Sequence, residues 1–233
     1  MAGVLGRPAR GGLSMEFDEV LRRRRMVRTY QEDRPVPPEI VEKLIRHALR
    51  APSAGFSQGW GFLVLTEPAD RELYWSVTAP QGDTAAERAA AGSWLDRMRS
   101  APLIIVALSN KSVYLDRYAQ ADKGWTDRDE HRWPVPYWDI DTGFAALLIH
   151  LTAVNEELGS LFFGVPADRV GAFRDAFGIP QEFVPVGALT VGYPAADKRS
   201  PSLRRGHRPV DEVVHHGRWT QPERPPRVTP DTG

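Results

Sequence analysis

Cysteine is absent from the 233 residues. Its absence removes disulfide frameworks, thiolate metal sites and cysteine nucleophiles, and is compatible with a reducing cytoplasm. Net charge is absent too. Thirty Lys and Arg balance thirty Asp and Glu, so no global field recruits nucleic acid or an anionic bilayer, and any anion site must be assembled locally. Long apolar runs are also lacking: the most apolar helical stretch, residues 144–154, is interrupted by His150 and falls well short of the roughly 20 residues that span a bilayer. Residues 1–14 carry arginines without the apolar core of a signal peptide, and are expected to be a disordered extension ahead of Met15, an alternative start. These absences predict a cytoplasmic protein that engages neither membrane nor nucleic acid.

What is present suffices for one sizeable core. With 42% hydrophobic residues and seven tryptophans, residues 15–219 are expected to form a single domain, followed by a Pro-rich tail over 220–233. Ser14 as N-cap, Glu16 in the first turn, and Phe17, Val20 and Leu21 at helical spacing predict a helix running into the arginines at 22–25. Ile40, Val41, Leu44, Ile45, Ala48 and Leu49 form the apolar face of a second helix, which Pro52 stops. Residues 60–66 and 102–109 read as buried strands, with a helix over 84–99 between them. A helix over 140–158 is expected to end on Gly159 as its left-handed cap. A strand at 160–163, a helix over 167–177 closed by Gly178, and a last central strand at 184–193 follow. Strict βαβ alternation is missing, so the expected class is an α+β sandwich. One irregular region, 114–138, holds Trp125, Trp133, Tyr137 and Trp138 among charges and reads as a lid.

Three segments carry groups suited to ligand chemistry. A helix spreads Arg22, Arg23, Arg24, Arg25 and Arg28 around its axis by about 100° per residue, so two or three can converge on one phosphate through paired guanidinium hydrogen bonds. Alone, the cluster is read more readily as a solvated helix end that complements the macrodipole. Residues 51–58, Ala-Pro-Ser-Ala-Gly-Phe-Ser-Gln, combine a helix stop with small residues, two hydroxyls and an amide: a loop that admits a flat ligand to the backbone, or an ordinary turn. Arg204, Arg205, His207 and Arg208 form a second basic group after the last strand. His207 has no partner in view that would make it an acid or base.

Five stretches stand in order: Arg24-Arg25-Met26-Val27-Arg28-Thr29-Tyr30, residues 51–60, Asp141-Thr142-Gly143-Phe144-Ala145-Ala146, Leu158-Gly159-Ser160-Leu161-Phe162-Phe163-Gly164, and Arg208-Pro209-Val210-Asp211-Glu212-Val213-Val214. Together they resemble the motifs of the nitroreductase family, over about residues 16–219. The resemblance implies a mixed, mainly antiparallel sheet flanked by helices, and an intertwined homodimer with two FMN sites at its interface. It implies that Arg24, Arg25, Met26 and Arg28 meet the FMN phosphate and ribityl chain, with Arg205, His207 and Arg208 closing from the C-terminal segment. Pro52, Ser53, Ala54, Gly55, Ser57 and Gln58 would come from the other subunit, and backbone amides near Phe163 and Gly164 would face flavin N5. Phe56, Trp125, Trp133, Tyr137 and Trp138 are then the expected substrate walls; packing among themselves or across the dimer is the alternative. The chain departs from the family pattern at Met26, where serine is usual, at Phe56, where Asn is common, and at Gly59, where Pro is common.

No catalytic triad or metal cluster is evident, which suits a protein whose cofactor carries the hydride chemistry. The implied activity is that of an oxidoreductase. It takes hydride from NADH or NADPH, with a deazaflavin donor left open, and passes it by ping-pong exchange to a small electron-poor acceptor such as a nitroaromatic, quinone or activated alkene. Other readings of the same fold are a flavin destructase, which typically has an acid where Met26 sits, and a reductive dehalogenase. A non-catalytic FMN-sequestering dimer is the reading from a different class.

Overall fold

A computed structural model describes residues 15–79, 95–196 and 200–219 of the chain. Its organising element is strand β2 (Leu103–Asn110), buried at every position. With β1 (Trp60–Leu65), β3 (Gly159–Phe163) and β4 (Phe183–Gly192) it forms a four-stranded sheet in the order β1-β2-β4-β3, with every neighbouring pair antiparallel. Antiparallel strands usually alternate apolar and polar residues because one face meets water. Here the run Leu-Ile-Ile-Val-Ala-Leu is continuous because both faces are covered.

Leu103, Ile105 and Ala107 pack with Leu44 and Ala48 of α2 (Pro38–Ala48) and with Ala145, Ile149 and Ala153 of a long helix at Tyr137–Asn155. Ile104, Val106 and Leu108 pack on the opposite face with Tyr74 and Trp75 of α3 (Pro68–Thr78) and Phe173 of the helix Val170–Phe177. The result is three layers, helix–sheet–helix, with the period-2 geometry of β2 feeding both cores. In chain order the helices with both ends among the described residues are α1 (Phe17–Arg23), α2, α3, α4 (Lys111–Tyr118), α5 (Tyr137–Asn155) and α6 (Val170–Phe177). Among the described residues, no helix is long and apolar enough to cross a membrane.

The chain divides into two compact units, Met1–Asp197 and Lys198–Gly233. The described part of the second consists of the 3-10 turns Pro201–Arg205 and Val210–Glu212. Arg208 Nε lies 3.3 Å from Glu212 Oε2, and the His215 ring lies 4.0 Å from the Trp219 ring, centroid to centroid.

Several expectations change. Glu16, not Ser14, occupies the N-cap of α1, and the helix stops at Arg23, so Arg24 and Arg25 lie beyond it. Helix α3 was not anticipated; Pro68 opens it at N1, where its missing N–H costs nothing. Of the helix expected over 84–99, residues 95–99 are helical and 84–94 lie outside the described residues, as do the extension 1–14 and the tail 220–233. The irregular region is shorter than 114–138, because α4 occupies its start and α5 begins at Tyr137.

Gly159 is not a helix cap. Glu157 takes the left-handed position with φ 60°, and Gly159 is the first residue of β3. A Cβ on Gly159 would stand 2.6 Å from Val27 Cγ2, and Val27 is β-branched and only 2% exposed. Gly159→Ala is therefore expected to destabilise the fold by about 1–3 kcal/mol through overpacking, read as a lower urea midpoint at unchanged slope.

Candidate functional site

Glu19 decides the fate of the arginine cluster. Lying one turn before the end of α1, it binds Arg22 (Nε to Oε2 2.8 Å) and also Arg23. Arg24 is the C-cap with ψ 121°, so the chain leaves the helix extended and Met26 bridges to Ser160 of β3, with Val27 N–H donating to Ser160 O at 3.0 Å. Arg24 and Arg25 are exposed and, among the described residues, neither forms an ion pair with a carboxylate. The guanidinium of Arg28 donates to Met26 O at 3.4 Å.

The segment also separates its side chains. Arg23, Arg25 and Val27 line a cavity of about 270 Å³ with Glu157, Gly159 and Pro194. Met26 lines another, of about 180 Å³, with Gly143, Ala146, Leu147, His150 and Phe162. Arg24 is close enough to His150 to oppose its protonation. The five arginines therefore do not converge on one point: Arg22 and Arg23 share the single carboxylate of Glu19, Arg23 and Arg25 line one cavity, and Arg24 lies toward His150.

His150, 3% exposed, pairs through Nδ1 with the Ser160 hydroxyl, while its Nε2 is buried without a partner among the described residues. Burial, reinforced by the Arg24 charge, pushes its pKa down to about 4. In the unfolded chain an ordinary histidine protonates near 6.5. Between these values the unfolded state binds the extra proton, so stability falls as pH drops from about 6.5 to about 4. Wild type should lose this increment of stability over that window, and His150→Leu should show a shallower slope in parallel unfolding titrations.

The loop after α2 is held in an unusual backbone. Gly55, Phe56 and Gln58 all have positive φ, at 61°, 56° and 54°, and two of these residues are not glycine. A left-handed non-glycine residue costs roughly 1–2 kcal/mol, so the surroundings must impose it. Asp141 Oδ2, from buried α5, accepts from Ala54 N–H and from Tyr114 OH, both at 2.8 Å. Arg117 Nε donates to Gly55 O at 3.0 Å, Gln58 N–H to Ser53 Oγ at 3.1 Å, and Ser57 Oγ to Ala54 O at 2.6 Å. Gly59 is required by close approach, since a Cβ there would lie 2.6 Å from Tyr114 Cε2. The product is a braced loop that leaves Phe56 75% exposed, with Pro52 and Gln58 also exposed.

Asp141, Tyr114 and Arg117 were not singled out from sequence as site residues. The available signal was an acid on the inward side of an apolar helix, a position that needs partners. Burial, with the neighbouring Asp141 carboxyl, raises the Tyr114 phenol well above the usual tyrosine range, so it stays a hydrogen-bond donor. Asp141→Ala strands one buried and one half-buried donor and is expected to cost about 2–4 kcal/mol in urea unfolding, whereas Tyr114→Phe should cost about 1 kcal/mol.

The residues expected as aromatic walls pack extensively against one another. Trp133 sits centrally among Tyr118, Trp125, Tyr137 and Trp138, with ring centroids at 4.6, 5.4, 5.7 and 6.1 Å. Trp138 is buried and also meets Tyr114 edge-on at 6.3 Å. Trp133 and Trp138 are thus interior to a cluster that braces the 53–59 loop, because Tyr114 touches both. Tyr137 and Phe56 remain exposed. Phe163 stacks on Trp75 at 5.8 Å with its plane tilted only 9°, while Phe162, one residue earlier, lines the Met26 cavity. A Cβ on Gly164 would meet nothing within 4 Å, so its backbone borders open space. Arg205, His207 and Arg208 belong to the second unit and are exposed there.

The model of the nitroreductase family matches residues 21–193. This chain belongs to the nitroreductase family. The matched span lies within the first unit and ends before the 208–214 motif. A Methanothermobacter thermautotrophicus protein provisionally named NADH dehydrogenase/NAD(P)H nitroreductase is 27% identical over 210 residues, 88% of each chain. Iodotyrosine deiodinase of Nematostella vectensis is 25% identical, covering 86% of this chain and 75% of that one. A nitroreductase family protein of Streptococcus pneumoniae shares the fold, with a TM-score of 0.62 at 23% identity over 86% of this chain and 99% of that one. The nitroreductase-like sandwich expected from sequence is thus the fold of the chain, and family membership makes it an oxidoreductase.

Proposed function

We propose that this nitroreductase is an FMN-dependent homodimeric enzyme that takes hydride from NADH or NADPH and delivers it to a small electron-poor acceptor. The observation that carries the reading is the division of the arginines. Glu19 engages Arg22 and Arg23, but Arg24 stands past the helix end with no carboxylate partner among the described residues, close enough to His150 to oppose its protonation, and His150 lines a largely apolar cavity while its buried Nε2 has no partner among the described residues. These features fit FMN. A guanidinium without a carboxylate suits a phosphate, apolar walls suit a flat ring system, and the buried Nε2 offers a polar contact. Bound FMN supplies the two-electron carrier between donor and acceptor.

In this arrangement Arg24 and Arg28 hold the phosphate and ribityl end, with Arg25 and Met26 as further contributors. Gly164 gives open backbone approach at the end of β3. The braced loop, with Pro52, Ser53, Ala54, Gly55, Ser57 and Gln58, is presented to the second subunit's flavin, and Phe56 and Tyr137 wall the pocket that donor and acceptor occupy in turn. Trp125, Trp133 and Trp138 act on that pocket by stiffening the loop rather than by lining it. A second copy of the chain is favoured by the apolar side chains that α5 leaves uncovered, Phe144 at 45% and Leu147 at 48% exposure. With a quinone the balance is quinone + NAD(P)H + H⁺ → quinol + NAD(P)⁺.

The deiodinase relatives favour a second reading, reductive dehalogenation, in which hydride replaces halide: R–X + NAD(P)H → R–H + NAD(P)⁺ + X⁻. Purified protein should bind FMN and show its visible absorption, and should bleach on anaerobic addition of NADH or NADPH; colourless protein that takes up no FMN overturns the reading, and persistent colour reduces it to a flavin binder. Reoxidation by a quinone without halide release supports the first acceptor class, whereas stoichiometric halide from an aryl halide supports the second. Arg24→Ala should weaken FMN binding about tenfold or more, as loss of a charged hydrogen bond does. Arg22→Ala, removing a guanidinium already committed to Glu19, should leave the dissociation constant within about twofold.

A further inference from the structure

We propose that His150 is a cofactor-binding residue whose Nε2 hydrogen-bonds a hydroxyl of the polyol chain of bound FMN. This rests on the functional reading above and names a contact within the same site.

A polar ring in the most apolar part of α5 needs a reason, because burying an unsatisfied polar group is unfavourable. The ring is not loosely held. Its Nδ1 is engaged by the hydroxyl of Ser160, a residue that is 0% exposed, so the imidazole orientation is fixed and Nε2 is the polar atom left over. His150 forms part of the wall of the 180 Å³ cavity, and the other residues around it, Met26, Gly143, Ala146, Leu147 and Phe162, have no hydrogen-bonding side chain. Nε2 is itself covered, so a ligand hydroxyl that enters the cavity reaches it by displacing the side chain over it, and then meets the one nitrogen-bearing side chain of this lining.

The chemistry of the imidazole selects the kind of partner. It stays neutral at pH 7 because burial and the Arg24 charge both oppose protonation, so it has no net charge with which to attract a phosphate, and that role falls to Arg24. If the Ser160 hydroxyl donates to Nδ1, Nε2 carries the proton and donates; if Nδ1 donates to Ser160, Nε2 accepts. A hydroxyl can answer either arrangement, whereas a carboxylate, a phosphate or an ammonium answers only one.

Position favours the same assignment. Ser160, which anchors the ring, is bridged to Met26, the residue that stands where the family usually has serine. The thioether brings no hydroxyl to the cofactor at that point. The imidazole restores a hydrogen-bonding atom from the α5 side of the same cavity.

The test uses full-length protein stripped of flavin, with affinity read by quenching of flavin fluorescence and the ring read by NMR of ¹⁵N-labelled histidine. For wild type, FMN should move the Nε2 resonance, while a change in protein concentration without flavin should not. His150→Leu should bind FMN about tenfold more weakly. The double variant His150→Leu, Ser160→Ala removes both polar partners together, so it should lose similar affinity without lowering the thermal midpoint of the apo protein. Riboflavin, which keeps the polyol and lacks the phosphate, should show the same loss with His150→Leu and little change with Arg24→Ala.

Unchanged affinity in both histidine variants, with wild type binding FMN, overturns the proposal and leaves the functional reading standing. So does an Nε2 resonance that ignores FMN but shifts on dilution, which would assign the atom to the partner subunit. Failure of wild type to bind FMN overturns both.

Discussion

Burial of β2 and β4 from both sides is the constraint on which everything else in the first unit depends. A sheet that hides both faces must place apolar residues at consecutive positions and be covered by helices above and below. The covering helix on one face, α5, has to be long and apolar, and Ala145, Ala146, Ile149 and Ala153 meet that need. The same helix carries the polar atoms that organise the site. Asp141 near its start fixes the 53–58 loop, and His150, some two and a half turns later, sits beneath Met26. Each is tolerable in such a helix only because a partner from another element meets it: Tyr114 and Ala54 for the acid, Ser160 for one nitrogen of the imidazole.

The strands were legible in the sequence because their cause is local. A short uninterrupted run of Leu, Ile and Val bounded by Pro102 and the Asn110–Lys111 boundary has few other folds available. Gly178 was legible for a similar reason, since an apolar helical stretch followed by glycine is a strong stop, and the glycine does sit at φ 61°. Gly159 looked the same and is not. There the left-handed turn is made by Glu157, and the glycine answers Val27, a neighbour more than a hundred residues away in sequence. Nothing within a window around Gly159 distinguishes a cap from a close approach. Pro68 poses the same ambiguity: it ends one element and begins the next, and only the packing of Tyr74 and Trp75 beneath the sheet makes the second role visible.

The site was legible as a set of segments and not as an arrangement. Arg24 and Arg28 could be separated from Arg22 and Arg23 only once the end of α1 was placed, because whether Glu19 reaches an arginine depends on helical spacing continuing through it. Likewise, the aromatics of the supposed lid were correctly read as too costly to leave in water. Part of the answer to that cost is that they cover one another, with Trp133 at the centre.

That packing changes what the aromatic cluster is for. A loop with two left-handed non-glycine residues stores strain, and strain persists only where several independent contacts agree on the same backbone. Asp141 holds it from α5, Arg117 from α4, and Ser53 and Ser57 from within, while Tyr114 and Tyr118 close the space that side chains at Gly59 and Gly55 would occupy. Because Trp133 and Trp138 pack against these tyrosines, the cluster transmits rigidity to the loop. A rigid loop presents an exposed Phe56 in one pose, so the ordering cost is met during folding and need not be met again when a flat ligand arrives. The aromatic content of residues 118–138 thus bears on the pose of the loop through preorganisation.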